Sequence, residues 1–126
     1  LKVTEESLDL GVAQARTGYM VSDISAEIQR QVESNGFSVV KAFVGHGLGR
    51  NLHEEPQIPN YVVKKPDYEL KRGQVLAIEP MVNAGGYEVS ILKDGWTAVT
   101  ADGMMSAHFE HTVIVGDKEP EVLTKL

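Results

Sequence analysis

The sequence predicts an α+β fold in which two helices form one layer and a mainly antiparallel sheet forms the other. Up to Gly36 the apolar residues recur at helical spacing, whereas the apolar runs that follow are short and rich in β-branched and aromatic residues. The 126 residues contain no internal repeat and no linker. We therefore expect a single domain over residues 1–126, near the commonest domain size.

The first predicted helix begins near Thr4. A threonine is a good N-cap, and Glu5 and Glu6 follow it at the positive end of the helix dipole. The apolar face recurs at helical spacing, and Gly18 ends the run. That face consists of Leu8, Val12 and Ala15.

The second predicted helix begins after Ser22 or Asp23, either of which is suitable as an N-cap. Asn35-Gly36 closes it in the manner of a left-handed C-terminal cap. Its apolar face consists of Ile24, Ile28 and Val32. Both helices are amphipathic, so each is expected to pack one face on the sheet.

The strands are predicted from alternating or continuous apolar runs between turn residues. They span residues 37–44, 74–82, 87–92, 96–100, 106–115 and 122–123. Asp94-Gly95 supplies the turn of a hairpin between the third and fourth strands. The segment from Gly45 to Pro56 contains too much Gly and Pro for regular structure and is predicted as a loop.

Composition excludes several classes of function. The net charge of −6 with interspersed charges does not resemble a nucleic-acid-binding surface, and no apolar run approaches the ~20 residues that span a bilayer. Disulfides and thiolate zinc sites are excluded because there is no cysteine. The start of the chain lacks a signal-peptide pattern. A cytoplasmic protein without a nucleic-acid or membrane partner is expected.

His46 is the first candidate for chemistry, because glycines flank it on both sides. Glycine lets a ligand or metal approach the main chain closely, and histidine is the commonest metal ligand. The alternative is a buried imidazole bonded to the backbone. His53-Glu54 is followed by Pro56 and lacks the second histidine of a helical zinc motif, so a zincin site is rejected.

Two carboxylates are the next candidates. Glu79 and Glu110 each lie in an apolar, strand-like run, where a charge is costly unless a cation, proton or donor satisfies it. The alternative is an edge strand with solvated side chains. His108 and His111 flank Glu110, and either is a candidate for orienting a metal ligand by a hydrogen bond to it. Trp96 by itself favours packing over function.

One imidazole with two or more carboxylates suits a divalent ion such as Mn, Fe, Co or Zn. Such an ion polarises a carbonyl and lowers the pKa of bound water. Hydrolysis of an amide or an ester is the natural chemistry for this set of residues.

Taken together, the motifs resemble those of type I methionine aminopeptidases, within the creatinase and prolidase superfamily, and the resemblance extends over essentially the whole chain. The motifs are Gly45-His46-Gly47-Leu48-Gly49-Arg50, His53-Glu54-Glu55-Pro56, Ile58-Pro59-Asn60-Tyr61, Ile78-Glu79-Pro80-Met81-Val82, Asp94-Gly95-Trp96-Thr97 and Ser106-Ala107-His108-Phe109-Glu110-His111-Thr112.

The resemblance implies half of a pita-bread fold, with two amphipathic helices on a curved, mainly antiparallel sheet. It also implies removal of N-terminal methionine from peptides and nascent proteins. His46, Glu79 and Glu110 match the family's metal ligands, with Glu110 bridging two ions. Glu79 also matches the general base that takes a proton from the attacking water.

Three further positions match residues of the family's substrate site. His53 matches the histidine that contacts the substrate near the scissile peptide bond. Leu52 and Trp96 match positions that line the pocket for the methionine side chain. The ions implied are two per complete site, of Co, Mn, Fe or Zn.

The resemblance also implies a difference from the family. Two aspartate ligands of the family lie on strands that precede the region present here, and Asp9 and Asp23 belong to predicted helices. We therefore expect a C-terminal half, holding one ion rather than two, completed by an N-terminal half or by a second copy in a homodimer. The alternative is a catalytically incomplete module that binds metal or peptide without hydrolysis.

Overall fold

The computed structural model describes residues 1–50, 54–95 and 98–124 as two helices packed against antiparallel strands. The helices are α1 (Lys2–Val12) and α2 (Val21–Ser34). The strands are β1 (Ser38–Val39), β2 (Gly45–Leu48), β3 (Glu54–Ile58), β4 (Val75–Ile78), β5 (Met81–Asn83), β6 (Val89–Ile91), β7 (Ala98–Thr100), β8 (Ser106–His108), β9 (His111–Ile114) and β10 (Glu121–Val122).

Helix α1 is shorter than predicted and starts earlier. Its N-cap is Leu1, so Thr4 lies inside the first turn on the buried face and the predicted cap is wrong. The helix ends at Val12 rather than near Gly18, because the following segment bonds to the last part of the chain through Thr17 N–H and the Gly116 carbonyl at 2.9 Å. Within the described residues, neither helix is long and apolar enough to cross a membrane.

Helix α2 has Met20 as its N-cap, two residues before the predicted Ser22 and three before the predicted Asp23. Asp23 still contributes, since its carboxylate accepts a hydrogen bond from Met20 N–H at 2.8 Å. The C-terminal prediction is confirmed, because Asn35 is the C-cap and Gly36 follows with φ of 79°. The predicted apolar face of α2 is fully buried against the rest of the core.

The described strands form three sheets. Strands β10-β9-β4-β2-β3 make a five-stranded sheet, β1-β5-β8 a three-stranded sheet and β6-β7 a hairpin, and every strand pair is antiparallel. The hairpin confirms the predicted turn at Asp94-Gly95, where Gly95 adopts φ of 84°. The mainly antiparallel α+β architecture is therefore confirmed.

Two long predicted strands are each divided in two. The 74–82 run becomes β4 and β5 with Glu79-Pro80 between them, and the 106–115 run becomes β8 and β9 with Phe109-Glu110 between them. Proline has no N–H to give to a ladder, which explains the break after Ile78. The pairing register does not shift across the break, since Ile78 pairs with His111 and Met81 with His108.

One further strand prediction is too long, and the loop prediction is wrong. The 37–44 run forms only the short β1. Its last hydrogen bond to β5 is from Val40 N–H to the Met81 carbonyl at 2.9 Å, and beyond Val40 the chain leaves that sheet. The predicted loop from Gly45 to Pro56 instead contains β2 and the start of β3, paired with each other. A Gly-rich sequence here is compatible with a strand because its neighbours approach closely.

The core lies between the helices and one face of the five-stranded sheet. Leu76 and Ile78 of β4, Val113 of β9 and Ile58 of β3 are fully buried beneath the two helices. Alternation along a strand sends the intervening residues to the other face of the sheet. That other face carries the candidate metal centre.

Candidate metal centre

The register of β4 with β9 and of β5 with β8 places Glu79 directly across from Glu110. Both residues occupy the gap between these pairs, where Phe109 N–H donates to the Pro80 carbonyl at 3.3 Å. Directly opposed side chains in an antiparallel pair have Cβ atoms about 5 Å apart, and like charges there are destabilising. A positively charged partner is therefore needed between the two carboxylates.

His46 reaches the same place from β2. It pairs with Ala77 of β4, which lies two residues before Glu79 and on the same face of the sheet. The Nε2 atom of His46 lies 3.2 Å from Oε1 of Glu79, and the His46 side chain is only 13 % exposed. The predicted encounter of His46 with Glu79 is thus present in the structure.

The other ring nitrogen of His46 determines what Nε2 can do. Nδ1 lies 3.0 Å from the Gly47 carbonyl, and a carbonyl oxygen can only accept, so the hydrogen in this contact belongs to Nδ1. In the neutral ring Nε2 then presents a lone pair toward a carboxylate oxygen. A proton or a metal ion between these two acceptors satisfies both, and this backbone bond is typical of metal-ligating histidines.

The glycines beside His46 were predicted to let a ligand or metal approach the main chain, but in the structure their small size serves strand packing. Neither Gly45 nor Gly47 has a positive φ. A Cβ on Gly45 would collide with the Ala77 carbonyl of β4, and one on Gly47 would lie 3.0 Å from the Glu55 carbonyl carbon of β3. These glycines therefore let the neighbouring strands approach β2, rather than opening the main chain to a ligand.

Glu79 is held in an environment that disfavours its charge. Burial raises the pKa of its carboxyl above the ordinary value, and the charge of Glu110 raises it further, against a partial offset from His46 and His108. Its side chain is 20 % exposed, and β4 lies inside the five-stranded sheet. The alternative of a solvated edge-strand carboxylate is therefore wrong for Glu79. It holds in part for Glu110, which is exposed beside the edge strand β8.

His108 also belongs to this cluster, which the sequence left undecided. Ligand atoms of Glu79, His108 and Glu110 all lie within 4.8 Å of one another, and Nε2 of His108 is 3.5 Å from Oε2 of Glu79. Strand alternation predicts this, since residues 108 and 110 share a face. His111 instead places Nδ1 2.9 Å from the Thr124 hydroxyl oxygen.

Asn60 is a supporting residue that sequence reasoning missed. It is fully buried, and its side-chain amide donates to the main-chain carbonyl of Glu79 at 3.4 Å. The signal was available in the sequence, because an asparagine between Pro59 and Tyr61 is a polar residue in a motif next to an apolar strand. Its amide links the segment after β3 to the backbone that carries Glu79.

Three predicted site residues lie outside the described residues. These are Leu52, His53 and Trp96. The roles predicted for them, substrate contact for His53 and pocket lining for Leu52 and Trp96, stay predictions.

The donor set of the described cluster fits a divalent metal. Imidazole nitrogen and carboxylate oxygen are the ligands that Zn, Co, Fe and Mn take in proteins. A cation would also relieve the repulsion between the partly buried Glu79 carboxylate and the exposed Glu110 carboxylate across from it.

A sequence profile described as metallopeptidase family M24 matches residues 1–117, which is nearly the whole chain. The chain belongs to metallopeptidase family M24. Membership of this family implies the use of a divalent metal, in agreement with the donor set of Glu79, His108 and Glu110. It also confirms the resemblance from which the family was predicted.

M24 relatives named as methionine aminopeptidases are similar along the whole chain. The protein is 53 % identical over 124 residues to methionine aminopeptidase of Clostridium perfringens, covering 98 % of this chain and 50 % of that one. It is 52 % identical over 126 residues to methionine aminopeptidase 1 of Bacillus subtilis, covering 100 % of this chain and 51 % of that one.

A solved structure confirms the M24 pita-bread fold. The crystal structure of methionine aminopeptidase from Thermotoga maritima superposes with a TM-score of 0.94 at 48 % identity, covering 99 % of this chain and 50 % of that chain. The chain therefore spans about half the length of the relatives it matches. The prediction that it corresponds to their C-terminal half stays a prediction.

Proposed function

We propose that this chain supplies part of the active site of a metal-dependent aminopeptidase that removes N-terminal methionine from peptides and nascent proteins. The observation that carries the proposal is the convergence of His46, Glu79 and Glu110 on one face of the sheet of an M24 protein. The names of the relatives, all methionine aminopeptidases among those described above, support the choice of substrate.

The proposed roles follow the chemistry of each side chain. His46, Glu79 and Glu110 would hold the metal, which when bound lowers the pKa of water and polarises the scissile carbonyl. Glu79 would accept a proton from the attacking water, as the resemblance implies. In the metal-free protein, burial and the charge of Glu110 raise the pKa of its carboxyl, which favours proton uptake. His53 would contact the peptide near the scissile bond.

The substrate pocket is part of the same proposal. Leu52 and Trp96 would line the space for the methionine side chain, since an apolar side chain and an indole ring suit an unbranched thioether. The metal is proposed to be Co, Mn, Fe or Zn. A cytoplasmic location is included in the proposal, because nascent chains carry their N-terminal methionine there.

The chain is proposed to act together with a second half-fold, either an N-terminal half or a second copy of itself. This is supported by the length of the relatives, of which the chain covers about half. The alternative of a module that binds without hydrolysis is not favoured, because the matching relatives are named as aminopeptidases.

The test is release of methionine from a short Met-initiated peptide in the presence of Mn²⁺ or Co²⁺. The chain is assayed alone and mixed with the segment of the Bacillus subtilis relative that the match leaves uncovered. We expect release in the mixture, and a loss of about 10²-fold or more in Glu79→Gln, because a general base contributes roughly 10²–10⁴-fold. Glu5→Gln on the exposed side of α1 is the matched control and should retain full activity.

Absence of methionine release in the mixture, with the chain folded and metal-bound, would contradict the proposed function. Equal activity of Glu79→Gln and the unsubstituted chain would contradict the assignment of the base. Methionine release by the chain alone would instead favour a second copy as the missing half. Sedimentation at the assay concentration would then check whether the chain is a dimer.

A further inference from the structure

We propose that His108 is itself a metal ligand, so that His108, Glu79 and Glu110 form a three-ligand site contained entirely within this chain. The inference deepens the proposed function and rests on its premise that this face of the sheet holds a metal. The family resemblance assigns His46, Glu79 and Glu110 but gives His108 no such role.

The first support is the geometry of the cluster. One ligand atom from each of Glu79, His108 and Glu110 lies within 4.8 Å of the others. Glu79 lies in the gap between β4 and β5, His108 ends β8 and Glu110 lies in the gap between β8 and β9. The shared register of β4/β9 and β5/β8 brings all three to one face. The cluster is therefore built by the fold and does not depend on a single flexible segment.

The second support is the separation of His108 from Glu79. Nε2 of His108 and Oε2 of Glu79 are 3.5 Å apart, longer than the roughly 2.8 Å of a charge-assisted hydrogen bond. Two ligands bound tetrahedrally to zinc at about 2.1 Å are roughly 3.4 Å apart. The observed separation thus matches two ligands of one ion better than it matches a direct ion pair.

The third support is the use of both oxygens of Glu79. His46 faces Oε1 at 3.2 Å, and His108 faces Oε2 at 3.5 Å. Each carboxylate oxygen thus has an imidazole nitrogen at ligand–ligand distance. Glu79 is therefore in the position of a ligand shared between His46 on the Oε1 side and His108 on the Oε2 side.

The donor set indicates which metal the site favours and whether its ligands are enough to hold one ion. Two imidazoles within reach of two carboxylates favour Zn²⁺ or Co²⁺ over the all-oxygen environment that suits Mg²⁺. A three-ligand site with an open position is the usual arrangement of catalytic zinc. One ion can therefore be held without the two aspartates that the resemblance implies elsewhere in the family.

The experiment compares metal binding by the metal-free chain and by its His108→Gln variant. Zn²⁺ affinity is measured by competition with a chromophoric chelator, and the Co²⁺ complex by its visible absorption. We expect at least a tenfold loss of Zn²⁺ affinity and an altered Co²⁺ spectrum, because losing even a side chain that only hydrogen-bonds to a metal ligand costs 10–100-fold. His111→Gln is the matched control and should bind like the unsubstituted chain, since His111 contacts Thr124 instead of the cluster.

The side chain of His108 is 43 % exposed on an edge strand, so the substitution should leave folding intact, and circular dichroism checks this. Unchanged Zn²⁺ affinity and Co²⁺ absorption in His108→Gln, with affinity lost in Glu79→Gln, would overturn the inference and leave the proposed function standing. Equal losses in His108→Gln and His111→Gln would also overturn it. Failure of the proposed function is recognised separately, by the methionine-release assay.

Discussion

Close approach of strands around His46 depends on single glycine residues. The hydrogen at the Cβ position of Gly45 faces the Ala77 carbonyl of β4, and Gly47 faces the Glu55 carbonyl of β3. Both contacts are with backbone, which cannot rotate away as a flexible side chain can. Since His46 lies between the two glycines, the position of its ring relative to Glu79 depends on how closely these strands pack.

Gly45→Ala is predicted to destabilise the protein by about 2 kcal/mol, because the added methyl group must displace the backbone of β4. It should also weaken metal binding, since the shift moves His46 relative to Glu79. Urea unfolding and the Zn²⁺ competition measurement check the two effects. Gly86→Ala is the control: its Cβ would meet only the Asp102 carboxylate oxygen at 3.7 Å, so we expect a change within about 0.5 kcal/mol. Equal stabilities of the two variants would contradict the prediction.

Helix α2 begins where a distant segment satisfies its first amides. Val21 N–H donates to the Tyr68 carbonyl at 2.8 Å, and Ser22 N–H donates to the Asp67 carboxylate at 3.1 Å. The free N–H groups of a first helical turn are normally capped by a local side chain. Here the cap comes from a residue far along the chain, so the element is completed by tertiary structure.

Asp67→Asn is predicted to lower the free energy of unfolding by about 0.5 kcal/mol at pH 7, the usual effect of losing one exposed charge at a helix N-terminus. Burial raises the pKa of Asp67, but hydrogen bonds from Ser22 and Tyr68 outweigh it, and the net pKa is below the ordinary 3.8. The folded protein thus favours the ionised form. Its stabilising contribution is complete above the unfolded pKa and is lost as pH falls through the folded one.

Unfolding free energies of the unsubstituted chain and Asp67→Asn at pH 7 and at pH 3 check this, and the difference between them should shrink at the lower pH. Glu69→Gln, the same chemical change two residues along the same segment, is the control. If the difference in unfolding free energy between the two proteins is larger at pH 3 than at pH 7, the ionised Asp67 carboxylate is not the source of the stabilisation.

The metal centre joins parts of the molecule that the secondary structure leaves separate. Glu79 lies between β4 of the five-stranded sheet and β5 of the three-stranded sheet, and Glu110 lies between β9 and β8 in the same way. An ion held by both carboxylates would bind only the folded chain, because the unfolded chain does not bring them together. Stability of the whole molecule should therefore depend on metal concentration.

Glu110→Gln is predicted to have opposite effects with and without metal at pH 7.5. Without metal it should raise the free energy of unfolding by about 0.5 kcal/mol, because it removes one of two like charges placed directly across a strand pair. With Zn²⁺ at 100 times the dissociation constant, the unsubstituted chain should gain about 2.7 kcal/mol. The variant should gain less, by about 1.4 kcal/mol for each tenfold loss of affinity.

Thermal unfolding with a chelator and with Zn²⁺ measures both effects. Glu121→Gln on β10 is the control, as it removes an exposed carboxylate of the same sheet outside the cluster. A variant that is destabilised under both conditions would show that Glu110 supports the fold by contacts other than those of the metal centre.

Local patterns in the sequence determined much of this protein. The apolar face of α2, its Asn35-Gly36 cap, the hairpin turn at Asp94-Gly95 and the burial of the strand before Glu79 follow from periodicity and turn chemistry. These features depend on neighbours a few residues apart, which a sequence displays directly. The motifs around His46, Glu79 and Glu110 likewise predicted the M24 family, which the comparisons confirmed.

Only the tertiary structure decided the features that depend on partners far along the chain. The register of β4 with β9 and of β5 with β8 placed Glu79 across from Glu110 and brought His108 to the same face. Close packing at Gly45 allows a segment that was predicted as a loop to form a strand. The start of α2 is stabilised by Asp67, which is distant in sequence. The physical reason is the same in each case: a backbone hydrogen bond or a charge pair acts through space, and sequence separation does not reveal which distant residue completes it.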